Sequence, residues 1–288
     1  MKSVSLIKAR GLESALLEMP PSALLESVIA NATASLIAAR ERTAVTEVFS
    51  GKRILRLTRL ISHLLKPSTG IPIITTNYDR LVEVAVEEAG LGVDTMFVGR
   101  FAGRLNERES RLSFCRDVTL KKRSVSYRYQ SRAVVCKPHG SLDWYLRGET
   151  PVHHSGELPD AARLIITPGH NKFRNGYDSP FDIHRSRANE SIDRASRYII
   201  LGYGFNDDHL ETHLSPAIRG GKPALLLTRG LTATAESLAT QHANVIALDQ
   251  TNQGGIDGTR AIVEKSALFF PHLSLWDLHA FISDVLEP

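Results

Sequence analysis

Val134-Val135-Cys136-Lys137-Pro138-His139-Gly140-Ser141-Leu142-Asp143-Trp144 is an apolar run that stops at a proline and then presents a lone histidine followed by a glycine. A short apolar run bounded by turn signals predicts a buried strand. In an open α/β sheet, ligands bind beyond the carboxyl ends of the strands. His139 is therefore delivered to the place where chemistry is expected, on a backbone that Gly140 leaves free to turn.

Working outward from that strand, the grammar from Ile71 onward is one of short β-rich runs separated by helical patterns, which predicts an α/β fold with a doubly wound, mostly parallel, Rossmann-like sheet. Ile71 to Thr76 is expected as a strand, Tyr78 to Ala89 as a helix with Leu81, Val82, Ala85 and Val86 inward, and Val93 to Val98 as a strand. Leu164 to Thr167 is strand-like before Pro168-Gly169. Ser179-Pro180-Phe181-Asp182 has the cap, proline and early acid of a helix start, with the helix running to about Ala195. Tyr198 to Leu201 then reads as a strand, Gly202-Tyr203-Gly204 as a turn, and a helix is capped near Asp207. Pro223 to Thr228, a helix over Thr232 to Gln241, and Asn244 to Leu248 continue the alternation. A last helix opens at Ser274 to Asp277 and buries Leu275, Leu278, Phe281, Ile282 and Val285.

Before Ile71 the patterns are helical. Ser22 to Arg40 carries Leu24, Leu25, Val28, Ile29, Leu36 and Ile37 at helical spacing after Pro20-Pro21. Arg53 to Leu65 places Ile54, Leu57, Leu60, Ile61 and Leu64 on one stripe before Pro67. Residues 1–70 are thus expected as a helical segment packing on the sheet of one domain that continues over 71–288, with an irregular insertion near 99–133.

Composition narrows the function classes. With 288 residues and 42% hydrophobic content the chain can build a full core. No apolar run approaches the roughly 18 residues of a spanning helix, and the apolar stretch at the start breaks too early for a secretory signal, so the expected location is cytoplasmic with no membrane partner. Only Cys115 and Cys136 are present, far apart, so neither a four-cysteine zinc module nor a disulfide framework is available. Thirty-five Lys+Arg against 31 Asp+Glu leave a net charge of +4, a mild welcome to anions. Part of that charge sits in the run from Lys121 to Arg132, where it interleaves with Tyr127 and Tyr129. Such a run could track a nucleic-acid backbone. It also alternates like an exposed edge strand blunted by charge, and nucleic acid is not the expected partner.

Three strand ends carry polar residues: Thr75-Thr76-Asn77-Tyr78-Asp79, His139-Gly140-Ser141-Leu142-Asp143 and Gly202-Tyr203-Gly204-Phe205-Asn206-Asp207. The topology predicts that they converge on one crevice. Each also has a plainer reading. Asn77 would cap the helix that Tyr78 begins, with Asp79 favoured by its dipole. His139 would be a core histidine, and the Gly202/Gly204 pair a tight turn, since Asp207 stands where G-x-G-x-x-G needs its third glycine. His209 and His213 share a helix face, but no glutamate directly follows the first, so no metal is expected. There is no G-x-S-x-G elbow, no phosphate-binding G-x-x-x-x-G-K, and Ser141 lies too close to His139 for a hydrolase pair.

Taken in order, the strand ending in T-T-N-Y-D, then K-P-H-G-S-L-D-W, then I-I-L-G-Y-G-F-N-D-D-H-L resembles the sirtuin-like family, in particular its bacterial branch of defence-associated NAD hydrolases. The resemblance implies NAD as substrate, cleaved to nicotinamide and ADP-ribose, and a role in anti-phage defence. It implies that Asn77 positions the water and the ribose, that Asp79, beside Thr76, contacts the carboxamide, and that His139, followed by Gly140, is the general base. Gly202, Tyr203 and Gly204, with Asn206, would lie against the ribose and phosphates. The absent four-cysteine module argues against a deacetylase. The family's N-terminal G-A-G-x-S loop, which cradles the diphosphate through backbone amides, is not found either. That leaves open a truncated chain, a site completed by a second copy or a partner chain, or a catalytically inactive module that binds NAD, ADP-ribose or a partner.

Overall fold

The computed structural model describes residues 22–121, 124–158, 161–166 and 178–287. The expectations for the start of the chain, for Lys122-Arg123 and for Thr167 to Gly169 lie outside them. The chain divides into two compact units: one takes the residues up to Thr58 and Leu64–Ser186, the other Arg59–His63 and the residues from Arg187 onward. The architecture is mixed α/β.

In the first unit, helix α1 (Ala23–Phe49) is capped by Ser22, whose hydroxyl accepts from the Leu25 amide at 3.4 Å. It runs nine residues past the expected end at Arg40, and only part of the expected stripe faces inward: Ile37 packs on the core and Ile29 is half-buried. Leu24 is 80% exposed, and Leu25, Val28 and Leu36 also face out, while Ala34, Ala38, Ala44 and Val48 are buried. Ala34 and Ala38 pack on Leu142 and Ile165. Small side chains let the helix backbone approach the residues that follow His139, which a stripe of leucines would hold further away. Helix α2 (Arg56–His63) is shorter than expected and straddles the division between the units.

Strands β1 (Ile71–Ile74), β2 (Gly92–Asp94) and β7 (Arg132–Cys136) form a three-stranded parallel sheet in the order β1-β7-β2. All five residues of β7 are buried. Helix α3 (Leu81–Glu88) follows β1 and buries Ala85 and Val86. The expected strand over 93–98 is two strands in two sheets. At Met96 the backbone turns to φ 65°, and the Asp94 carboxylate accepts from the Met96 amide at 3.1 Å and from Ser110 Oγ at 2.6 Å. Beyond that corner, β3 (Phe97–Val98) and β4 (Ala102–Leu105) join β8 (Gly140–Arg147), β9 (Thr150–His154) and β10 (Arg163–Ile165) in an antiparallel sheet ordered β10-β8-β9-β4-β3. The stretch over 99–133 also contains helix α4 (Glu107–Ser113) and a two-stranded ribbon, β5 (Cys115–Lys121) with β6 (Ser124–Tyr129), before β7 rejoins the parallel sheet.

Helix α5 (Phe181–Arg194) crosses into the second unit. There β11 (Tyr198–Leu201), β12 (Ala224–Thr228) and β13 (Val245–Gln253) pair in parallel, with α6 (Asp208–Arg219) and α7 (Ala233–Gln241) between them. β13 continues five residues past the expected Leu248 and pairs antiparallel with β14 (Ile256–Val263), which pairs with β15 (Ser266–Pro271). Parallel pairing is thus confined to two three-stranded blocks, and antiparallel strands make up the rest of the sheets among the described residues. Helix α8 (Leu278–Phe281) is capped by Asp277 and passes into a π-turn over Ile282–Leu286. Phe281 and Ile282 are buried, but Val285, expected inside, is 46% exposed. No helix among the described residues is long and apolar enough to cross a membrane.

Candidate active site

The parallel pairing of β1 with β7 builds the site. Ile74 is the register partner of Cys136, and the Thr75 amide donates to the Cys136 carbonyl at 3.0 Å, so both strands end at one level. Their loops therefore emerge side by side. One carries Thr76, Asn77 and Asp79, the other His139 and Gly140.

The first loop is not the helix turn expected from its sequence. α3 starts at Leu81, and its amide is capped by Asp79 Oδ1 at 3.1 Å, while Asn77 is exposed and its amide donates to Thr75 Oγ1 at 3.2 Å. The first helical amide is thus satisfied by the aspartate and not by the asparagine, while Arg80 at the N-cap position makes no side-chain cap. Arg80 anchors the loop from behind. Its Nε and Nη2 donate to Glu41 Oε1 at 2.9 and 2.5 Å, its amide donates to Glu41 Oε2, and Glu41 is buried in the α1 stripe.

The second loop is a tight turn, in which the Gly140 amide donates to the Lys137 carbonyl at 3.1 Å. Gly140 sits at φ 93°, and a Cβ there would lie 2.1 Å from the Leu164 carbonyl oxygen. Only glycine fits. The His139 carbonyl accepts from the Ile166 amide at 2.9 Å, and the residue is half-buried at the turn with its ring Nε2 inside.

Tyr78 stitches the loops together. Its hydroxyl donates to the Ile166 carbonyl at 2.5 Å, and its carbonyl accepts from the Leu142 amide at 3.0 Å and from Ser141 Oγ at 3.4 Å. Beneath lies a polar layer that sequence reasoning missed. Lys137 is buried and donates to Glu83 Oε1 at 2.9 Å. His184 Nδ1 accepts the Lys137 amide at 3.2 Å, with its ring 4.4 Å from that of Trp144. Burial, reinforced by the Lys137 ammonium and opposed by Asp143, pushes the His184 imidazole down to about 3, so it is neutral. Asp143 Oδ2 meets His153 Nε2 at 3.1 Å. Burial alone would raise that carboxyl, but His153, Ser141 and Lys137 outweigh it and hold it below the usual carboxylate range. The sequence signal for Lys137 was available: a charge placed directly after a wholly apolar strand. For His153 and His184, far along the chain, there was none.

The remaining predicted residues belong to the second unit. Gly202, at φ 60°, ends β11 and its amide donates to the Leu227 carbonyl at 2.9 Å. The Gly204 carbonyl accepts from Thr232 Oγ1 at 2.8 Å, and Asn206 is exposed. Asp207, in place of a third glycine, caps α6 through the amides of His209 and Leu210 at 3.1 and 3.2 Å. Tyr203 donates to Glu211 at 3.0 Å, and burial raises both groups above their ordinary range. Glu211 is thereby committed to Tyr203 and Ser215, and His213 to Asp193 at 2.9 Å.

No curated protein matches the chain. A family model described as the SIR2-like domain matches residues 72–246, from the second residue of β1 to the second residue of β13. That span covers more than half of the chain and takes in most of both parallel blocks and all three motif-bearing loops, so the chain belongs to the SIR2-like domain family.

Proposed function

We propose that the chain hydrolyses NAD at the nicotinamide–ribose bond, releasing nicotinamide and ADP-ribose. The observation that carries this reading is the adjacency of the Asn77 and His139 loops at the shared end of β1 and β7. Water adds to C1′ of the ribose as the C1′–N bond breaks. The bonding pair leaves with the ring nitrogen, which turns the pyridinium into neutral nicotinamide, and the water's proton passes to the imidazole of His139 and on to solvent. A histidine suits that step because imidazole ordinarily titrates near neutrality. Asn77, released from capping, orients the water without adding charge. Asp79 reaches the carboxamide through the carboxylate oxygen that does not cap α3. Thr76 and Gly140 are assigned to the same site because they flank Asn77 and His139 in sequence. Gly202, Tyr203, Gly204 and Asn206 are assigned to the ribose and phosphates on motif order, within a doubly wound Rossmann-like reading that the two parallel blocks support.

The test is to incubate the purified chain with NAD and follow nicotinamide. A drop in release of at least about a hundredfold in His139→Ala is expected. Release undiminished by the substitution overturns the base assignment, and ADP-ribose binding without any release by the wild type identifies an inactive binding module instead. Beyond the chemistry we infer a role in anti-phage defence by depletion of NAD, supported by the motif order alone. Cells expressing the chain should lose NAD when challenged with phage, and undiminished NAD would overturn that role.

A further inference from the structure

The side chain that joins the two loops is neither the histidine nor the asparagine. Lys137 is 1% exposed, although a dry interior resists a bare ammonium. Each of its three donors has an acceptor: the Tyr78 carbonyl at 3.5 Å, the Asp79 carbonyl, and Glu83 Oε1 at 2.9 Å. Those acceptors lie on the Asn77 loop and the first turn of α3. The backbone of Lys137 belongs to the other loop, two residues before His139, with its amide fixed on His184 Nδ1.

The pair with Glu83 is poorly built for stability alone. Glu83 Oε2 is buried and has no hydrogen-bond partner among the described residues, and burial raises the Glu83 carboxyl against the pull of Lys137. Buried ion pairs with such orphans are commonly replaced by apolar pairs of similar volume at no loss. What an apolar pair would not supply is a donor to the Asp79 carbonyl at the entry into α3, or the third donor on the Tyr78 carbonyl beside Leu142 and Ser141. Both carbonyls lie directly beyond Asn77 in sequence.

We propose that Lys137, neutralised by Glu83, is the positioning residue of the site: its ammonium draws the Tyr78 and Asp79 carbonyls onto the His139 turn and so sets the distance between Asn77 and His139. The proposal rests on the hydrolase reading for its catalytic consequence, but not for its structural one. Lysine suits the task better than arginine, because a compact ammonium spreads three donors about one atom where a guanidinium holds its donors in a single plane.

The experiment uses the full chain with Lys137→Met and Glu83→Met combined, so that no buried charge is left alone. The double variant should melt near the wild type. Amide exchange over Asn77 to Leu81 should quicken roughly tenfold, the scale of a lost charge-assisted hydrogen bond. The kcat for nicotinamide release should fall about a hundredfold with KM changed less than about threefold, as expected for misplaced catalytic groups. Lys137→Arg, which keeps the charge and is expected to fold, should show the same split in weaker form. Wild-type exchange and wild-type kcat in the folded double variant, or in Lys137→Arg if the double variant does not fold, would overturn the proposal. A wild-type chain that releases no nicotinamide fails the hydrolase reading alone, and the exchange measurement then still decides whether Lys137 holds the loop.

Discussion

Ile74 and Cys136 face each other in the parallel β1–β7 pair, and Asn77 and His139 each stand three residues beyond that shared line. The symmetry is a consequence of parallel pairing: two strands that run the same way and end at one level deliver their loops to one edge. Distance in sequence, 62 residues between the asparagine and the histidine, is cancelled by a single register.

That placement predicts a division of labour. His139→Ala should lower nicotinamide release by about a hundredfold to ten-thousandfold, the range for loss of a general base. Asn77→Ala should lower kcat as well, since the water loses its guide, while calorimetry finds ADP-ribose bound by both variants within a few-fold of the wild type. Equal loss of ADP-ribose binding in both would mean that the residues hold the ligand and do not act on it.

The two residues of the first loop should also separate in stability. Asp79 caps Leu81 and Asn77 caps nothing in α3. Asp79→Ala is therefore expected to cost about 1 kcal/mol in urea unfolding, as for other lost caps. Asn77→Ala should leave the unfolding midpoint unchanged. The reverse pattern would restore the asparagine as the capping residue.

Two glycines with left-handed backbone should respond differently to alanine. At Gly140 the new Cβ would lie 2.1 Å from the Leu164 carbonyl oxygen, so strand β10 or the His139 turn must move. A loss of about 3 kcal/mol or more is expected, combining backbone strain with a clash that no rotamer relieves. At Gly202, with φ 60° and nothing within 4 Å of the added Cβ, the cost is the conformation alone, about 1 kcal/mol. Thermal melts of the two variants in parallel provide the comparison.

The parallel blocks were legible in sequence because their strands are short apolar runs next to helical patterns, and β1, β7, β11 and β12 lie where Ile, Val and Leu cluster. The antiparallel strands were not. β8 begins at Gly140 and runs through Asp143 and Trp144, and β14 sets Asp257 and the adjacent pair Thr259-Arg260 among Gly258 and Ala261, so neither has a period that declares it. Arg260 explains part of that disguise. It is an apparently exposed charge that binds Asp249 through Nε and Nη2 at 2.9 Å each and Glu236 at 2.6 Å, and such pairing is invisible until the hairpin forms. Helix α1 misled in part for the opposite reason, since its leucines set the periodicity while its alanines, with Ile37 and Val48, make the packing. At the site, loop position could be read from the strands, but the hydrogen bonds of Tyr78, Lys137 and His184 link residues 47 to 88 positions apart and leave no local pattern.

The buried histidine beneath the site sets an acid limit. His184 titrates at about 3 in the folded chain, against about 6.5 when exposed. Between those values the unfolded chain takes up a proton that the folded chain refuses, so acidification favours unfolding. The advantage of the neutral ring is fully present above about pH 6.5 and is lost at roughly 1.4 kcal/mol per pH unit as the pH falls toward 3. His184→Asn offers an amide oxygen to the Lys137 amide and does not titrate. The variant should be weaker at neutral pH, because space opens beside Trp144, yet its urea-unfolding free energy should fall less steeply between pH 6.5 and 4.5 than that of the wild type. Other titrating groups act on both proteins alike and cancel in the difference. Parallel profiles would mean that His184 is protonated in the folded chain, and that its Nδ1 does not accept the amide that fixes the start of the His139 turn.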